Sequence, residues 1–330
     1  MNSMTNTPRT LRMYDSILGA FLLLLVLTSC GVTSGIDYSK DIKAIDVVAD
    51  TTLDPVDIFD LTLSLLKDKT VCSPIATLTT IAALSDNHEL NSHVYQATRR
   101  ASPRTSIWKK LSSASAPDTE YLQTALSYLN TTVHSIVFDT SGMKDVNNWA
   151  GTDVLNDINP EYTTYLLSVL NMDMQIDSHS SGEAIVVQGA DYIDTWKAEG
   201  FIYTQDDTGI SFVALLPDKD ISPKAYVESL NGKALNTLLQ NTKYLQYSAT
   251  LPTMEIVIHE TIDDLLRKVE GLDLPSCSDQ YVEFTLSGRK TKTPTLTTNR
   301  ELIFDRPFIF FVLDTATQTP LLAGIYNFSE

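Results

Sequence analysis

Apolar positions recur along the chain with two different periods, and the change of period divides it. Val56, Phe59, Leu63 and Leu66 follow Pro55 at three- and four-residue spacing, which predicts a helix. A proline at the first helical position supports that start. After a short β-like TVCS at 70–73, Pro74 opens a second apolar helix, PIATLTTIAALS. Residues 86–119 are polar, with paired arginines, two prolines and a Ser/Ala cluster, and predict only weak helices. From 120 to 138 a helical pattern passes into the strand-like TVHSIVFD. Residues 145–171 read as helical material interrupted by Asn159-Pro160. Strands then dominate: EAIVVQGADYI (183–193), GISFVALLPD (209–218, ended by Pro217), YSATLPTMEIVI, QYVEFTLS, FIFFVLD and, after the turn TATQT, TPLLAGIYNF. NGKALNTLLQ and TIDDLLRKVE are helical interruptions. Helices first and strands later predict one α+β domain rather than alternating β-α-β units.

The first 54 residues stand apart from that domain. Arg9 and Arg12 precede an 11-residue apolar run, Ile17–Leu27, shorter than the roughly 20 residues a spanning helix needs. A positive end, a short apolar run and small residues at its exit are the layout of a secretory signal. The exit, Leu27-Thr28-Ser29-Cys30-Gly31, looks like a bacterial lipobox. That resemblance implies cleavage before Cys30 and a diacylglycerol thioether on its thiol. The expected order is a lipoprotein signal peptide over 1–29, a tether over 30–54 without strong period, and a folded domain over 55–330. Multiple acyl chains would hold the mature chain on a bacterial envelope membrane, either the outer membrane or the cell surface, outside the cytoplasm.

Composition narrows the chemistry. The 330 residues carry 24 Lys and Arg against 41 Asp and Glu, a formal charge of −17, so no basic surplus exists to neutralise phosphates and no nucleic-acid partner is expected. Cys72 lies in an apolar stretch and reads as a small buried hydrophobe. Cys277 lies in the polar, loop-like LPSCSD; an exported compartment would permit a bridge between the two, which the sequence alone does not establish. No Gly-rich phosphate loop, Gly-x-Ser-x-Gly elbow or His-Glu-x-x-His occurs. His88 and His93 are five apart, and His134, His179 and His259 are isolated, so no metal site is expected. Asp263-Asp264 suit a helix start and Asp206-Asp207 a turn. No catalytic residue, cofactor or enzymatic activity is expected, and a monomer is.

The C-terminal FDRPFIFFVLDTATQTPLLAGIYNF resembles the closing signature of the serpins, in which Phe-x-Arg/Lys-Pro-Phe leads into a buried strand, a turn and a last strand containing Gly. Phe304, Arg306, Pro307, Phe308 and Gly324 match it. Six further pieces resemble serpin segments in order: the first two helices with Ser73-Pro74 between them, VNNWAGTDVLNDI as the helix across the main sheet, AIVVQGADYIDTW as the long central strand ending in Trp196, SFVALLPDK, SATLPTMEI, and HETIDDLLRKVEGL. The resemblance covers about 55–328 and implies a large, mostly antiparallel central sheet with packed helices and smaller, trimmed sheets.

It also implies a function, inhibition of a serine or cysteine protease through a reactive loop at 288–303, with the scissile bond at Leu296-Thr297. In such inhibitors the cut loop enters the central sheet as a new strand and carries the acylated protease with it. This chain departs from what that requires. Only 16 residues, Gly288 to Ile303, separate YVEFTLS from Phe304, and they include Arg289, Lys290, Lys292 and Pro294. Proline has no ladder donor, and unpaired Lys or Arg is costly to bury. Ala76, Gln188 and Gln280 also replace polar residues usual beneath the sheet opening. The alternative to an inhibitor is a non-inhibitory binding or structural surface module on the same scaffold.

Overall fold

A computed structural model of the chain describes residues 35–328 apart from 86, 102, 113, 181–183, 196, 206, 293–296 and 299. Cys30, the signal peptide, Trp196 and Leu296 therefore lie outside the described residues. In chain order, β1 (Ile36–Asp37) precedes α1 (Pro55–Asp68), β2 (Val71–Cys72), α2 (Pro74–Ala83) and α3 (His88–Thr98). Then come β3 (Arg104–Lys110), α4 (Thr119–Leu129), β4 (Thr131–Ile136), α5 (Thr140–Ala150) and β5 (Thr164–Ser178). Strands β6 (Ala184–Gln188), β7 (Asp191–Asp194), β8 (Ala198–Gln205) and β9 (Ile210–Pro217) lead to α6 (Pro223–Ser229) and α7 (Gly232–Gln240). The rest is β10 (Ser248–Pro252), β11 (Met254–Thr261), α8 (Asp263–Leu266), β12 (Cys277–Lys290), β13 (Glu301–Ile303), β14 (Phe308–Asp314) and β15 (Thr319–Tyr326).

The helix starts follow from their first residues. Asp54 accepts from the Val56 amide at 2.9 Å and Pro55 presets the first turn of α1. Ser73 and Pro74 do the same for α2, which is buried nearly all round because it lies under the sheets. The strands form three sheets. The large sheet runs β1-β4-β3-β5-β12-β11, with β4-β3 and β5-β12 parallel and its other pairs antiparallel. The second runs β2-β15-β14-β9-β8-β7, and the small one is β13-β10-β6. β14, FIFFVLD, is buried on both faces and sits centrally in the second sheet. Phe310 stacks on Phe284 of the large sheet, at 6.4 Å between ring centroids, while Ile309 and Phe311 face Phe59, Leu63 and Leu235 of α1 and α7. The layers are thus large sheet, second sheet and helices. The outer face of the large sheet is covered by α5 through Val146 and Ala150 against Trp108 and Leu167; of VNNWAGTDVLNDI, expected as that helix, only 146–150 are helical, and Gly151 ends it.

Three expectations are corrected. The long central strand is β5, not AIVVQGADYIDTW, and it lies where interrupted helical material was expected. Its first half, TYLLSVL, is buried on both faces, so no alternation marks it as a strand. EAIVVQGADYI instead breaks at Gly189, φ 75°, into β6 of the small sheet and β7 of the second, and neither pairs with β12. The expected pairing of that segment with QYVEFTLS is absent; β12 pairs with β5 and β11.

The second correction is the tether. Residues 36–53 form a strap on the body: β1 pairs with β4, and Tyr38, Ile42, Val47 and Leu53 pack on the cluster of α2, α3 and α4. Its apolar residues are too few and too spaced to show a period. The third is the weakly helical 86–119: its first part is helical, as α3, but it also contains β3, an inner strand of the large sheet.

Candidate reactive-loop site

The site is the connection between β12 and β13, and its geometry starts from the seam beneath it. β5 and β12 pair in parallel, residue for residue, from Tyr165 opposite Cys277 to Ser178 opposite Lys290. Gly288, Arg289 and Lys290, expected in the loop, continue β12; Glu301 to Ile303, expected at its far end, form β13. The loop expected at 288–303 is therefore shorter, Thr291 to Arg300.

Arginines hold both of its ends. Arg289 Nε donates to Asp177 Oδ1 at 2.9 Å, and that carboxylate pushes the guanidinium pKa up further. The Thr291 amide donates to the Ser178 carbonyl at 3.0 Å. At the other end Arg300 pairs with Glu199 and lies over the Tyr192 ring, 5.0 Å from its centroid. The Ser248 amide donates to the Arg300 carbonyl at 3.0 Å, and β13 continues parallel to β10. Thr297 is exposed between these clamps, as is Lys292. Leu296, its expected partner in the scissile bond, lies outside the described residues.

Beneath the seam sits a buried polar column. Ser73 Oγ donates to the Leu321 carbonyl at 2.8 Å, and Gln280 Nε2 donates to Thr77 Oγ1 at 3.0 Å. Across the seam Gln280 stands opposite Ser168, whose Oγ is 3.4 Å from Thr105 Oγ1. Ser73 and Gln280 were expected here and are brought together. Gln188 is not: it sits in β6 opposite Ser248. Thr77 and Ser168 carry no signal in the sequence: Ala76 stands where the resemblance places a polar residue, and the strand of Ser168 has a helix-like pattern.

Of the C-terminal signature residues, Phe304, Phe308 and Gly324 are buried and Pro307 is exposed. Phe304 and Phe308 meet edge to face at 5.0 Å, and Phe201 meets Phe304 likewise at 5.6 Å. Gly324 lies opposite Phe310, where a Cβ would come within 2.6 Å of the ring, so the strand tolerates no side chain there. Arg306 is half-buried and Pro74 buried.

One grouping resembles a catalytic triad and is not built as one. Buried His93 lies 2.9 Å from Thr319 Oγ1, and Thr317 links Thr319 to the fully buried Asp314 through 2.8 Å contacts. The Leu53 amide donates to His93 Nδ1 at 3.2 Å, so Nε2 carries the proton and donates to Thr319. A histidine in that tautomer cannot take the proton of Thr319. Burial lowers its pKa to about 4, against the pull of Asp314, which also accepts from Arg100 at 2.9 Å. Cys72 and Cys277 are free and buried, in different elements. Cys277 begins β12 rather than a loop, and burial together with Asp279 pushes its thiol up to about 12.

No family model matches the chain, and no curated protein matches it. Solved structures do. Tengpin, a thermophilic serpin solved in its native state, superposes with a TM-score of 0.73 at 20% identity, over 89% of this chain and 99% of that one. Protease nexin-1, solved with heparin, gives 0.65 at 13%, over 83% and 100%. Maspin gives 0.67 at 12%, over 82% and 97%.

Proposed function

We propose that this chain, which has the serpin fold, is an exported lipoprotein, anchored through Cys30, that offers its 291–300 loop to a serine or cysteine endopeptidase and engages it reversibly, without trapping. The observation that carries this is the short loop pinned at both ends above a fully paired seam. Ten residues reach at most about 35 Å fully extended. A strand as long as β5 covers about 50 Å, and an uncut loop must also return to β13. Cleavage after Leu296 would release only residues 291–296 to enter the seam. Their entry would first break the paired ladder of β5 and β12 along that length, and it would bring Lys292 and Pro294 into a sheet interior. Clamped ends, by contrast, suit a preorganised segment that fits a protease cleft at low entropic cost.

The closed seam and short loop equally favour a second reading, a surface module that binds partners without inhibiting proteases. A panel of serine and cysteine endopeptidases separates the two. The proposal expects slowed turnover of a peptide substrate by at least one protease, relieved by dilution, with no detergent-stable adduct. No effect on any member would favour the binding module, and an adduct would restore the trapping mechanism. The anchor is tested separately: Cys30→Ser should abolish membrane retention, and a processed, membrane-retained variant would refute it.

A further inference from the structure

The strap fixes where the chain leaves the folded body, and the register of the large sheet fixes which end that is. Ile36, the first residue of β1, stands opposite Ser135 of β4, Ser135 opposite Lys109 of β3, and Lys109 opposite Thr164, the first residue of β5. The Ser276 amide donates to the Thr164 carbonyl at 2.8 Å, one residue before β12 begins. One row from Ile36 to Ser276 therefore marks a single end of the sheet, its base. β4 runs toward the base and ends at Ile136; β1 is antiparallel to it, so the chain enters β1 from the base side. The reactive loop lies at the other end. From Tyr165 opposite Cys277 to Ser178 opposite Lys290, the paired strands extend about 40 Å before the loop starts.

The base carries exposed apolar side chains. Ile36 is 48% exposed, Val137, one residue past the end of β4, is 40% exposed, and Leu274, two residues before Ser276, is 43% exposed. Charges of both signs sit beside them, Lys109 and Lys110 against Asp37 and Asp139, so the contact this end offers is apolar rather than electrostatic. Single exposed apolar residues need no explanation by themselves; here the length of chain that leads to them supplies one. Only residues 31–35 separate Cys30 from Ile36, and five residues reach at most about 18 Å. A tether over 31–53 would reach about 80 Å; the packed strap removes most of that length.

We propose that the base is a lipid-contacting face: Ile36, Val137 and Leu274 rest on the membrane surface, and the loop stands about 40 Å or more above it. This rests on the anchor through Cys30. The protease that meets the loop then has its cleft in the aqueous phase, and a cleft within the bilayer is out of reach. The acylated protein in phosphatidylcholine vesicles tests this, with a dye on an azide-bearing residue placed at exposed position 140, beside the base, or at exposed position 297, in the loop. A lipid with a nitroxide headgroup should quench the dye at 140 and not the dye at 297. Energy transfer from 297 to an acceptor on the lipid should report about 40 Å or more. The triple variant Ile36→Ser, Val137→Ser, Leu274→Ser changes only exposed positions, so it should keep its melt and its retention on vesicles while quenching at 140 weakens. Quenching at 297, none at 140, or undiminished quenching in the folded triple variant would each overturn the proposal. Wild-type protein without an acyl group by mass spectrometry would overturn the anchor alone. Cys72 and Cys277 are buried, so the chain from Cys30 onward can then be coupled through that thiol to a maleimide lipid, and the same two dyes decide the geometry.

Discussion

At the scale of single residues, the burial of polar groups is the informative feature. His93 is fully buried, neutral and tied at both ring nitrogens, to the strap through the Leu53 amide and to the second sheet through Thr319. Its folded pKa, about 4, lies below the ordinary 6.5. The unfolded chain therefore binds the extra proton first as pH falls, and stability drops between pH 6.5 and 4. His93 should contribute a loss of about 3 kcal/mol over that window. Urea unfolding at pH 7, 5 and 4 should show it in the wild type, and a folded His93→Gln variant should lose that part of the slope; equal slopes would contradict the assignment. Much at this scale is legible in sequence. Ser73-Pro74 reads as a helix start because capping is local, and Phe304 and Phe308 fall in the core where the order of the motif places them. Thr77 and Ser168 were not legible, since their partners Gln280 and Thr105 lie 203 and 63 residues away.

At the scale of elements, the strap is the feature the sequence conceals. Its bonds are to specific atoms of distant helices: the Ile45 amide to Ser127 Oγ at 3.0 Å, the Val48 amide to Tyr128 Oη at 3.1 Å, and the Thr51 amide to Ser92 Oγ at 3.1 Å. Removing 36–53 would expose the apolar cluster of α2, α3 and α4 and strip His93 and Ser92 of partners. A chain starting at Asp54 should unfold at a midpoint lower by about 5 °C or more, measured by circular dichroism; an unchanged midpoint would show the strap to be a passive linker. β5 was illegible for another reason. Two-face burial erases the alternation that identifies a strand, and the resemblance of AIVVQGADYIDTW to the family's central strand points instead to β6, an edge of the small sheet.

At the scale of the whole molecule, the ordering of helices and strands was enough to predict an α+β fold, and ordered short motifs were enough to predict which one. The connection between β12 and β13 was legible in position but not in extent. Arg289 and Lys290 looked like unfavourable loop residues, whereas they end β12, where Arg289 meets Asp177 across the strand pair. That contact depends on β5, which the sequence did not reveal. The consequence strengthens the central claim, because each residue added to the strand is one fewer available to move. The whole-molecule outcome to watch is what happens when the 291–300 loop is cut, for instance at exposed Lys292. The most direct measurement is the thermal midpoint before and after such a cut, with the fragments held together. The account predicts a change of no more than about 3 °C, two frayed ends above an intact seam. A rise of about 20 °C or more would mean the loop had entered between β5 and β12, and would contradict it.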